Sequence, residues 1–149
     1  MFSRACVYGL RAIIYVAAHG EDRPYVPIRE ISERLNISFH FLTKIIQQLT
    51  EGGLMKSWRG PAGGVGLARP AARISMLDVI VVLDGNDLFD SCLLGLPACG
   101  EQTPCPVHKQ WAVQRRRLKK LFKEARLSRV ADQIKSNNLR LSDIPGKQR

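Results

Sequence analysis

The chain has 149 residues, one domain's worth, so it can bury a core but cannot hold two large enzyme domains. With 45% hydrophobic and 24% charged residues it lies near globular averages, which excludes wholesale disorder and fibrous repeats. Lys and Arg number 23 against 13 Asp and Glu, and the formal charge of +10 points to a polyanionic partner or an anionic membrane surface.

That charge is unevenly placed. Residues 1–106 carry ten basic and ten acidic side chains, and residues 107–149 carry thirteen basic and three acidic, so the whole excess lies in the last third. Composition alone leaves open whether this third is a solvated helix face or a phosphate-binding surface. No apolar run approaches the ~18 residues of a membrane span. The apolar stretch at 12–18 is flanked by Arg11 and His19, so neither a signal peptide nor a membrane association is expected, and a cytoplasmic location is. In a reducing compartment Cys6, Cys92, Cys99 and Cys105 read as ligands, reactive thiols or core residues rather than disulfides.

Over residues 3–19, Val7, Leu10, Ile14, Ala17 and Ala18 recur at helical spacing and predict an amphipathic helix ended by Gly20. Residues 27–35 open on Pro27 and place Ile28, Ile31 and Leu35 on one side of a second helix. After a turn at Asn36 and Ile37, Ser38 is placed to cap a third helix reaching Glu51. Its inward stripe is Phe41, Leu42, Ile45 and Leu49, and Gly52 and Gly53 stop it. Two helices joined by a short turn have the size of a helix-turn-helix.

Residues 54–58 and 65–68 read as strands around the turn Arg59-Gly-Pro-Ala-Gly-Gly64, which makes a β-hairpin. A helix-turn-helix followed by a glycine-rich hairpin bearing an arginine is the winged-helix arrangement. In it one helix enters the major groove and the wing lies along the backbone or minor groove of double-stranded DNA. With Leu42, Ile45 and Leu49 inward, Ser38, His40, Thr43, Lys44 and Gln47 face outward as candidate base or phosphate contacts, and Arg59, Gly60, Gly63 and Gly64 form the candidate wing contact. An ordinary polar helix face is the rival reading.

The nearly continuous apolar run at 75–83 predicts a short buried helix, with Ser75 and Asp78 as its capping box. Residues 84–106 are broken by Gly85, Gly95, Gly100, Pro97, Pro104 and Pro106, and no regular element is expected there. This stretch holds Cys92, Cys99 and Cys105, with His108 three residues beyond the last. Three thiols and an imidazole in one loop suit a metal site. A Cys3His zinc, an iron–sulfur cluster and redox-active thiols all remain open from the spacing, although the paired Cys-x2-Cys knuckle of small zinc sites is absent. No phosphate loop, nucleophile elbow or His-Glu-x-x-His motif occurs, so an enzyme is not expected.

From Val107 onward, Val107, Trp111, Gln114, Leu118, Leu121 and Ala125 alternate by four and three. So narrow a seam on a long helix predicts a homodimer built on a second copy, with Arg115, Arg116, Arg117, Lys119, Lys120 and Lys123 mostly outside it. The tail is expected to be partly helical over 129–135 and to fray past Pro145 and Gly146. The organisation that follows is a winged helix-turn-helix at 1–83, a cysteine-rich loop at 84–106, and a dimerisation helix with a basic tail at 107–149. The fold class is mainly α with a β-hairpin wing.

The Tyr8-Gly-Leu-Arg-Ala12 helix, Ile31-Ser-Glu-Arg34, Ile37-Ser38, the helix containing Leu42 and Leu49, the Arg59-Gly-Pro-Ala-Gly-Gly64 turn and three spaced cysteines together resemble the Rrf2-type bacterial regulators. The resemblance runs to about Ile144, with the wing and cysteine loop its most specific parts. It implies a homodimeric winged-helix transcription factor, expected to be a repressor, whose DNA affinity depends on an iron–sulfur cluster reporting cluster status, nitric oxide or redox state. It further implies Cys92, Cys99 and Cys105 as cluster ligands, His108 as the fourth ligand of a two-iron cluster, and Arg59 as the wing arginine. The family's nitric-oxide sensors use an aspartate on the partner's first helix to complete a four-iron cluster. Here Val7 stands in that place and no acidic residue precedes Glu21, which favours the two-iron form. The first gap has one residue more than in the assembly regulators, and Cys6 and Asp90 are the other candidates for the fourth position. The alternative is a regulator of the same fold without a cluster, stabilised by zinc or responding through cysteine oxidation or a partner protein.

Overall fold

Helix α1 (Arg4–His19) runs through the middle of the molecule. The computed structural model describes residues 1–142, so Pro145 and Gly146, where fraying was expected, lie outside the described residues. Every α1 residue from Ala12 to Ala18 is buried, because α2 (Ile28–Leu35), α3 (Phe39–Glu51), α4 (Met76–Asp84) and α7 (Leu127–Asn137) all pack around it. A one-faced amphipathic reading is therefore corrected: a helix enclosed on several sides is apolar nearly all round. Toward its N-terminus the helix stays buried at Cys6 and Gly9 but turns Val7 outward, 41% exposed rather than inward-facing.

Helix α3 buries Leu42, Ile45, Ile46 and Leu49, and Phe41 is half-buried against Tyr8. Asn36 links it to α2 in the left-handed region, which an asparagine tolerates. Ser38 occupies the N-cap position but its hydroxyl makes no capping bond, so the cap is a backbone turn closed by Leu42 N–H donating to Ser38 O at 2.8 Å.

Strands β1 (Met55–Trp58) and β2 (Gly64–Leu67) pair antiparallel, with Trp58 opposite Gly64. Val26, just before α2, adds a bridge to Val65 through bonds of 2.8 and 2.9 Å. This third chain approaches so closely that a Cβ on Gly64 would sit 2.3 Å from the Val26 carbonyl oxygen, and one on Gly63 would sit 2.4 Å from that of Trp58. Wing closure alone thus demands both glycines.

Helix α4 opens on the expected capping box, with Ser75 and Asp78 bonded reciprocally. Residues 84–106 are not wholly irregular as expected: Asp87–Asp90 forms one turn, α5, held by Phe89, which is 4% exposed against Cys6 and Ile80. A single well-placed aromatic orders a turn that periodicity over four residues cannot reveal.

Helix α6 (His108–Glu124) packs on α4 and α5 of its own chain. Leu118 and Phe122 cover the Cys6, Ile80 and Phe89 cluster, with Phe122 edge-on to Phe2 and Phe89. Leu118 of the expected seam faces its own α4 and α5. Gln114 and Leu121 remain open to solvent, Leu121 at 58%. Helix α7 extends the expected 129–135 segment at both ends and returns to the core, with Leu127 and Ala131 buried. The return is fixed by Met76 N–H donating to Ala125 O and Leu127 N–H to Ile74 O, each 2.9 Å.

Candidate metal centre and nucleic-acid interface

Cys92 follows α5 and Cys105 precedes α6, so the packing of these helices decides where the loop's ends meet. Two side chains of α6 grip the carbonyl next to Cys92: Trp111 Nε1 donates to Ser91 O at 3.0 Å, and Arg115 donates to Ser91 O at 2.8 Å and Asp90 O at 2.6 Å. Sequence reasoning placed Arg115 outside the seam as a solvated charge, and this clamp was missed. Within the loop, Ala98 sits at φ +55°, a conformation a non-glycine residue adopts only under constraint. The Thr103 hydroxyl donates to the Ala98 carbonyl at 2.7 Å, and the next residue is Cys99.

The result brings Cys92, Cys99 and Cys105 together, all three Sγ atoms within 4.8 Å of one another. Cys92 and Cys105 stand 3.7 Å apart, and Cys99 Sγ lies 3.4 Å from His108 Nδ1. Two thiolates on one tetrahedral ion would be about 3.8 Å apart, and a thiolate and an imidazole nitrogen about 3.6 Å. The four donors therefore form two pairs, each at the spacing of two ligands on one tetrahedral metal. His108 is 8% exposed, and its Nε2 faces Glu101 at 3.7 Å, which leaves Nδ1 free to ligate when Nε2 carries the proton. This donor chemistry fits a thiophilic metal or cluster.

The thiols are electrostatically unequal. The backbone N–H of Leu96, with smaller help from that of Leu94, lowers the Cys92 thiol to about 7. At Cys99 the Cys105 N–H pulls the same way, but desolvation and the crowding thiols outweigh it and leave the group raised. Cys6 is fully buried, and burial followed by the Asp84 carboxylate pushes it up to about 12. It is a protonated core thiol, packed with Ile80 and Phe89 rather than with the triad, and Asp90 pairs with Lys119 at 3.6 Å. In metal-stripped protein at pH 8, iodoacetamide is expected to add to Cys92 first and to leave Cys6 unmodified; mass spectrometry of native protein showing Cys6 alkylated as fast as Cys92 would contradict the geometry.

On α3, Ser38, His40, Lys44 and Gln47 are exposed and Thr43 is half-buried. Thr43 donates to Phe39 O at 2.8 Å and Gln47 to Glu51 Oε1 at 3.2 Å. At the wing tip Arg59 and Gly60 are exposed, Gly60 at φ +123°, where a side chain would be strained. Among the described residues no helix is long and apolar enough to cross a membrane.

Comparison with known proteins agrees with this architecture. The sequence is 30% identical over 141 residues to the HTH-type transcriptional regulator IscR of Photorhabdus laumondii, covering 95% of this chain and 82% of that protein. It is 31% identical over the same length to IscR of Klebsiella pneumoniae strain 342, with the same coverage. Among solved structures it superposes on CymR, the global cysteine regulator of B. subtilis, with a TM-score of 0.77 and 26% identity over 89% of this chain and 96% of that one. T. potens IscR shares the fold at a TM-score of 0.73 and 24% identity, over 94% of this chain and 92% of that one. The sequence model of a family described as Rrf2, iron-dependent transcriptional regulator, matches residues 2–133. With the winged helix and the cysteine triad already in place, these matches make the chain a member of the Rrf2 family of transcriptional regulators, and not an enzyme.

Proposed function

We propose that this regulator is a cytoplasmic, homodimeric DNA-binding repressor whose operator affinity is set by a two-iron iron–sulfur cluster held by Cys92, Cys99, Cys105 and His108. The observation carrying this reading is the donor arrangement, a Cys92–Cys105 pair at 3.7 Å beside a Cys99–His108 pair at 3.4 Å. A bound cluster supplies an oxidisable centre sensitive to redox state and nitric oxide. The protein's part is mechanical. Cys92 is continuous with α5, and Cys105 and His108 with α6, so engaging all four donors ties the two helices at one end. Leu118 and Phe122 pass any shift of α6 to α4, which packs on α1 and α3. Helix α3 presents Ser38, His40, Thr43, Lys44 and Gln47, and the wing presents Arg59, Gly60, Gly63 and Gly64. Paired copies of these reading heads suit a two-fold operator.

Affinity depends on the cluster only if one arrangement of the reading heads binds DNA better than the other. The test is anaerobic purification, a visible spectrum with iron and sulfide assays, and operator binding before and after stripping at fixed salt. About two irons and two sulfides per chain, with at least a tenfold affinity difference, are expected. Four irons would overturn the cluster type, and equal affinities would overturn the coupling. A colourless, iron-free protein would favour the second reading, a zinc-stabilised or thiol regulator. The lowered Cys92 thiol, 3.7 Å from Cys105, supports that reading's oxidation arm.

A further inference from the structure

Trp58 ends β1 immediately before the wing arginine, and it is 62% exposed. A lone exposed aromatic needs no explanation by itself, since folded proteins leave much apolar surface in water. This one is stacked on a second ring and has two cations close by in the chain. Its cross-strand partner is Gly64, which offers no side chain to cover it. The indole instead stacks on Tyr25, ring centroids 5.9 Å apart and planes 22° from parallel. Lys56 Nζ lies 5.8 Å from the Tyr25 ring centroid, and Arg59 is the next residue, exposed. Tyr25 is itself anchored, because Val26 is hydrogen-bonded to Val65.

The wing therefore carries a flat apolar plate held on one side by the Tyr25 stack, with Lys56 beside that stack and Arg59 next in the chain. A charged tip alone would attract phosphate without needing the plate. We infer that Trp58 is a direct DNA contact, its indole packing against deoxyribose in the minor-groove wall while Lys56 and Arg59 engage the flanking phosphates. Proteins insert apolar side chains into this groove, and an aromatic held by stacking loses little entropy on contact. The inference rests on the DNA-binding reading above and extends it to a residue outside the Arg59 turn.

The test uses the full chain and a 30-bp duplex enriched from a random library by the wild-type protein, labelled with fluorescein. Anisotropy measures binding; tryptophan emission, as wild type minus W58F, reports Trp58 alone, because the only other tryptophan is Trp111. Expected are a DNA-dependent change in the Trp58 emission, protection of Trp58 from iodide quenching, about tenfold weaker binding by W58A, and retention within about threefold by W58F. The salt dependence of W58A should match wild type, since no phosphate contact is lost. A purely structural role for the Tyr25 stack would weaken W58A without any emission change or protection on adding DNA, and would overturn the inference. Undiminished W58A binding with silent emission would overturn it too while leaving DNA binding intact, whereas failure of any duplex to be enriched would remove the DNA-binding reading itself.

Discussion

C99A protein purified anaerobically is expected to carry less than about a tenth of the iron of the parent, and its visible absorbance should fall in proportion. Cys99 is the thiol that joins the two halves of the donor set. Its sulfur receives the Cys105 N–H at 3.4 Å and lies against His108, so its removal leaves an imidazole without its paired ligand. H108A keeps all three thiols and should retain a coloured centre with altered spectrum, because water or a thiol reagent can fill one position. R115A is the informative third variant. It removes no ligand, yet it deletes two of the three bonds that hold the carbonyls of Asp90 and Ser91 beside Cys92, leaving only that from Trp111. Loss of such supporting contacts typically costs 10–100-fold in metal affinity. Competition against a chelator should place R115A in that range, between parent and C99A; R115A indistinguishable from the parent would show that the clamp does not position Cys92.

The wing was legible because a Gly-Pro-Ala-Gly-Gly run permits few backbones, and Gly63 and Gly64 indeed sit where no Cβ fits. The Ser75 cap was legible for a similar local reason. Cysteine spacing announced a ligand set but could not show the pairing of Cys92 with Cys105, which loop path decides. Where sequence reasoning missed, the deciding contacts were long-range. Val7 shares the period of Ile14, yet the helices that bury Cys6 beside it leave its own face open. Leu118 and Leu121 both satisfy a heptad, and a period of 3.5 does not say whether its partner belongs to the same chain or a copy. Arg115 reads as one of three adjacent arginines, and only the fold shows that it alone turns back to the loop.

The same ambiguity gives α7 its sharpest test, because a basic C-terminal helix would ordinarily be taken as expendable. Leu127 is fully buried in the main core, and its N–H donates to Ile74 O, so it belongs to the packing around α1. L127A should cost about 2–5 kcal/mol through lost burial and the cavity left behind. At about 2–4 °C per kcal/mol for a chain of this size, the melting midpoint should drop by roughly 4–20 °C. L121A removes the same atoms from a site 58% exposed on the chain alone, and should leave the midpoint of the isolated chain nearly unchanged. If a second copy covers Leu121, sedimentation of L121A will instead show a weaker dimer while L127A melts early at every concentration. Equal midpoints for L127A and the parent would mean that α7 contributes nothing to the core, and the winged domain would then be expected to fold without it.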